Sequence, residues 1–101
     1  MNLENAAVMP NVNLEKCYAY ATMNKDALTD DYRVIYEKVT KGIENMECAE
    51  NVRAVMRLRY AYGHKFNDIS KILAISYQWV YELHKLGVSL LEKHLSVILT
   101  N

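Results

Sequence analysis

Between Phe66 and Glu92 the apolar positions are Ile69, Leu73, Ile75, Val80 and Leu83, with small residues at Ser70 and Ala74. Read at helical spacing, Ile69 and Leu73 face one way, Ile75 plugs a turn, and Val80 and Leu83 seat a second helix on the same core. This predicts a helix-turn-helix, with Ser70 small where the helices cross and Ser76 as N-cap of the second helix. Ala74 stands where helix-turn-helix patterns usually have Gly, and a left-handed turn conformation there would cost a non-glycine residue roughly 1 kcal/mol.

The rest of the chain reads as helices in series. Residues 1–12 show no period and are expected to be frayed. Asn13–Met23 can form a short helix presenting Leu14, Cys17, Tyr18 and Ala21, with Tyr20 and Met23 as added apolar surface. Thr29 is placed to cap the next helix, and Asp30 and Asp31 complement the helix dipole in its first turn. Tyr32, Ile35, Val39, Ile43 and Met46 then recur at steps of three and four, a stripe that faces a core. A further helix is expected from about Ala49 to Tyr62, stopped by Gly63 in a left-handed conformation. The last helix starts at Ser76 or Tyr77 and is expected to reach about Leu99, with Val80, Leu83, Gly87, Leu90, His94 and Val97 on one seam. At ~23 residues it would be about 35 Å long, more than a three-helix core covers. Its apolar tail therefore asks for cover from the N-terminal helices or from a second subunit. The expected fold is all-α: a three-helix helix-turn-helix core with N-terminal helices and a long C-terminal helix. Residues 1–12 form a flexible N-terminus, 13–47 a helical segment for dimerisation or partner contact, and 48–101 the motif domain.

Composition narrows the function classes. With 101 residues, 51% of them apolar, the chain is one domain able to bury a core. No apolar run approaches the ~20 residues of a membrane span, and the N-terminus has no signal-peptide pattern. Cys17 and Cys48 are far apart and fit no metal spacing; with no export signal they are expected to be reduced thiols in a cytoplasmic protein. Net charge is zero, yet residues 1–47 carry net −3 and residues 48–101 net +3, which puts the basic half on the motif. His64, His84 and His94 fit no metal pattern, and no nucleophile elbow, phosphate loop or spaced acid pair is present. The chain is expected to be no enzyme and to need no cofactor.

From VRAVMRLRY through the Gly to SYQWVYELHK and beyond, roughly residues 50–93, the chain resembles the fourth region of bacterial sigma factors. The resemblance is strongest to small sigma-like regulators of phages and prophages of Gram-positive bacteria. It is carried by Val55, Leu58, Arg59, Tyr60, Gly63, Ile69, Leu73, Ile75, Ser76, Val80 and Leu91. It implies a transcription regulator whose second motif helix enters the major groove of double-stranded DNA. Tyr77, Gln78, Tyr81 and Glu82 would then face bases, while Lys65, Lys71 and Lys85 would contact phosphates. Side-chain chemistry agrees in part: Gln pairs with adenine, Glu accepts from cytosine, and Tyr contacts phosphate or a thymine methyl.

The departures point to alternatives. Sigma factors usually place arginines along this helix, and here the corresponding stretch YQWVYELHK has none, with only Lys85 cationic. A homodimer on two half-sites would offset the weak phosphate contacts. Alternatively Tyr77, Trp79 and Tyr81 form a surface for a protein such as RNA polymerase or another regulator. A structural adaptor, dimerised through the aliphatic tail, is a third reading. Arg53 and Arg57 share a helix face, which could touch DNA backbone or be solvated, and solvation is the expectation for each taken singly. Trp79 is as readily a packing residue at the motif's edge as a contact residue.

Overall fold

Five α-helices and one short pair of strands account for residues 10–101, the part of the chain described in the computed structural model. In chain order they are β1 (Asn11–Asn13), α1 (Leu14–Thr22), α2 (Asp30–Asn45), α3 (Glu50–Met56), α4 (Phe66–Leu73), α5 (Tyr77–Leu95) and β2 (Ile98–Thr100). A 3-10 turn at Lys25–Ala27 links α1 to α2, and a π-helical turn at Arg57–Ala61 extends α3. The architecture is mostly helical, as the periodicity predicts, and no helix among the described residues is long and apolar enough to cross a membrane.

Each helix start has a local cause. Asn13 Oδ1 accepts the amides of Glu15 (2.8 Å) and Lys16 (3.3 Å), so the last strand residue also caps α1. Ser76 Oγ accepts from the Trp79 amide at 3.0 Å and caps α5 as expected. Thr29 occupies the cap position of α2 without that bond. Its hydroxyl turns to the Asp31 carboxylate instead, so the expected side-chain cap is absent. Gly63 ends the π turn in the left-handed region at φ 73°.

A single core joins both halves of the chain. Leu14 and Cys17 of α1, Val39 and Ile43 of α2, Val52, Val55 and Met56 of α3, Ile69 of α4, and Val80, Leu83 and Leu91 of α5 are all buried. Residues 13–47 thus supply core side chains as well as surface, and the stripe Val39, Ile43, Met46 faces inward. Gly87 lets α3 and α5 approach closely, since a Cβ there would lie 2.5 Å from Met56 Cγ.

The last helix departs from expectation. It ends at Leu95, and Ser96 turns left-handed at φ 54°. Val97 then enters the core, while β2 pairs in parallel with β1 in the register Val12 with Leu99. The strand is fastened by the Ile98 amide on the Pro10 carbonyl (2.8 Å) and the Leu99 amide on the Glu92 carboxylate (2.8 Å). β-branched Val97 and Ile98 favour the extended form, and the pairing buries Val12 and Leu99 together. His94 is consequently exposed, off the expected seam. The chain's own residues cover the tail from within, and Asn11 and Val12, expected to be frayed, belong to a strand. The remainder of that expected N-terminal segment, residues 1–9, lies outside the described residues.

Candidate nucleic-acid interface

The turn between α4 and α5 sets the orientation of everything on α5. Ala74 holds φ 55° and ψ 44°, the left-handed conformation expected of it, and the Ile75 amide returns to the Ser70 carbonyl at 3.1 Å. Ser70 has a role the spacing did not reveal: its hydroxyl donates to the Ile75 carbonyl at 2.6 Å and staples the turn to α4. With Ile69, Val80 and Leu83 buried beneath, the first turns of α5 present a fixed outer surface.

That surface divides into distinct faces. Gln78, Glu82 and Lys85 are exposed and lie farthest from the buried Val80–Leu83–Gly87 side. Tyr77 and Tyr81, at i and i+4, are 46% and 44% exposed. Their hydroxyls are 3.1 Å apart and their rings meet edge-on at 5.0 Å. This hydrogen bond pushes the Tyr77 phenol above its ordinary pKa. Phe66 extends the aromatic surface, with its ring 4.9 Å from that of Tyr81. Trp79 is 47% exposed, but two residues of helix turn it away from both tyrosines, so the three aromatics do not form one patch. It shares its side with Leu86, seven residues on and also half exposed.

The cations sort into two kinds. Lys65, at the start of α4, Lys71 within it and Lys85 are exposed, and none forms an ion pair among the described residues. Arg53 and Arg57, each expected singly to be solvated, both contact α2: Arg53 is largely buried, whereas Arg57 stays partly exposed. Arg53 donates to the carbonyls of Ile43 and Met46 (3.0 Å for the latter), closing the C-terminal end of α2, and pairs with Glu50 at 3.3 Å. Arg57 grips Glu44 with two bonds of 2.6 and 2.7 Å, which holds the Glu44 carboxyl below its usual range. Glu44 and the Ile43 and Met46 carbonyls lie on α2 or at its end, outside what face-sharing on α3 could reveal, whereas Glu50 is an i,i+3 neighbour of Arg53 on α3 itself.

Beside this face runs a groove of about 1100 Å³ between α1, the π turn and α5. Sequence reasoning missed it, because it depends on where α1 docks. Arg59 lies in it, its guanidinium stacked between the rings of Tyr18 (3.9 Å) and Phe66 (4.1 Å). Nη1 donates to the His64 carbonyl at 3.2 Å. Tyr60 and His84 share a hydrogen bond of 2.6 Å at the inner wall. Burial, reinforced by the Arg59 charge, depresses the His84 pKa to about 4, so the ring is neutral near pH 7. Burial pushes the Tyr60 phenol up to about 12.

No protein-family model, curated protein or solved structure matches the chain. Functional assignment therefore rests on these side chains. Tyr81, Glu82 and Lys85 line the groove as well as belonging to the exposed side of α5. Cys17 is buried and Cys48 half-buried, both as free thiols, and burial raises the Cys17 pKa to about 12. A thiol held in that state is a poor nucleophile.

Proposed function

We propose that the chain is a sequence-specific DNA-binding transcription regulator of sigma-region-four type, phage or prophage encoded, acting by binding without covalent chemistry. One observation carries the reading: the exposed face of α5 offers Gln78 and Glu82 to base edges, with Lys65, Lys71 and Lys85 exposed and in no ion pair among the described residues. On this reading α4 and α5 are the two helices of a helix-turn-helix. Gln78 and Glu82 read bases with Tyr77 and Tyr81 beside them, and the three lysines hold phosphates. Because Arg53 and Arg57 are committed to α2, phosphate neutralisation falls to lysines, and a homodimer on two half-sites or a polymerase partner supplies the remaining affinity.

Selection from a random duplex library at ~50 mM salt tests this directly, since each lost phosphate contact should reduce the salt slope by about 1. An enriched motif is expected. Gln78→Ala should relax preference at one position, whereas Lys71→Ala should weaken all duplexes alike and flatten the salt dependence. Absence of any salt-sensitive duplex binding would overturn the proposal.

The continuous Phe66–Tyr81–Tyr77 aromatic surface favours a second reading, a protein-interaction module facing RNA polymerase or another regulator. Co-sedimentation with purified core RNA polymerase without DNA, lost in Tyr81→Ser, would select it.

A further inference from the structure

Arg59 stands apart from the other arginines of α3 and its π turn. Arg53 has Glu50 and Arg57 has Glu44, but Arg59 has no carboxylate partner among the described residues. Its Nε is buried without a hydrogen-bond partner, which ordinarily calls for an explanation. Tyr18 and Phe66 clamp the guanidinium from both sides and leave its edge as the means of meeting an anion. Lys85 lines the same groove, and Tyr81 and Val88 give it apolar wall. A preformed concave site with a fixed cation and aromatic walls has the general form of a small-ligand site.

We propose that this groove binds a small organic monoanion with a flat apolar body, its charged group held by Arg59 and Lys85 and its body lying against Tyr81 and Val88. The remaining charged groups set the selectivity. Glu15 on α1 and Glu82 on α5 also line the groove and disfavour ligands carrying several negative charges. His84 faces the cavity in its neutral form and adds no second cation. The proposal stands independently of the DNA-binding reading.

The probe is 1-anilinonaphthalene-8-sulfonate, an aromatic monoanion, compared with uncharged N-phenyl-1-naphthylamine, which has the same rings. Fluorescence titration of the folded full chain should show one saturable site for the sulfonate. Arg59→Gln should weaken the sulfonate at least about fivefold, as expected for loss of a charge-assisted contact, and leave the neutral dye within about twofold. Should Arg59→Gln fail to fold, as judged by circular dichroism, exposed Lys85→Gln should produce the same charge-selective loss in smaller measure. Ala19→Trp, which fills the groove from α1, should abolish both dyes, whereas Trp79→Ser should change neither. Equal loss of both dyes in the charge variants, or binding that survives Ala19→Trp, would overturn the proposal. Binding that follows Trp79 would also overturn it, by placing the dye on the outer side of α5.

Discussion

At Ala74 the turn between α4 and α5 is held by an alanine in a backbone region that glycine occupies without steric penalty. Ala74→Gly should therefore raise the unfolding free energy by about 0.5 kcal/mol, the relieved Cβ strain exceeding the added freedom of the unfolded chain. Urea denaturation at constant m-value measures it. His84 makes a second prediction. Its pKa is about 4 in the folded protein against an ordinary 6.5, so the unfolded chain takes up the proton first. The stability contributed by the neutral ring is complete above about pH 6.5 and is lost as pH falls toward 4. The difference between wild type and His84→Gln should shrink across that window, on the order of 2 kcal/mol after allowance for partial solvent contact. The carboxylates of Asp31 and Glu44, also depressed, titrate in both proteins and cancel in the comparison.

At the scale of elements, the crossing of α3 and α5 depends on Gly87. Gly87→Ala would gain about 1 kcal/mol in helix propensity, yet its new Cβ would lie 2.5 and 2.6 Å from Met56 Cγ and Sδ. Overpacking should win, with a net loss of about 1–2 kcal/mol visible as a lower urea midpoint. Helices such as these were legible because Val39, Ile43 and Met46 repeat at the helical period whatever they pack against. The fate of Arg53 and Arg57 was not, because the Ile43 and Met46 carbonyls and Glu44 belong to another helix. The expected aromatic trio was only half legible. Four-residue spacing unites Tyr77 with Tyr81, while two-residue spacing sends Trp79 elsewhere.

For the whole molecule, the least legible feature is the meeting of β1 with β2. Three residues at each end carry too little alternation to announce a strand, and nothing near Asn11 in sequence marks Ile98 as its neighbour. The groove was hidden for the same reason, since Leu14, Arg59 and Leu99 converge there only after tertiary packing. A polar substitution separates the observed ending from a simple helical tail. Leu99→Asp should cost about 2–3 kcal/mol, because it introduces a carboxylate into the buried contact with Val12. An exposed helix end at that position would register almost nothing in thermal melts. Helical circular dichroism at low temperature should stay close to wild type.

The β1–β2 pairing also sets an order of events. Asn11 and Ile98 are separated by 87 positions, so their junction closes a far longer loop than the α4–α5 turn and carries the larger entropic toll. It should be the last contact to form during folding and the first to open in the native protein. In hydrogen exchange, the Leu99 and Ile98 amides should be released through partial openings well before those of Val55 or Val80. Since Leu14 and Leu99 also line the groove, each such opening would briefly take down one of its walls. The lifetime of that cavity is thus tied to the slowest-won junction in the chain.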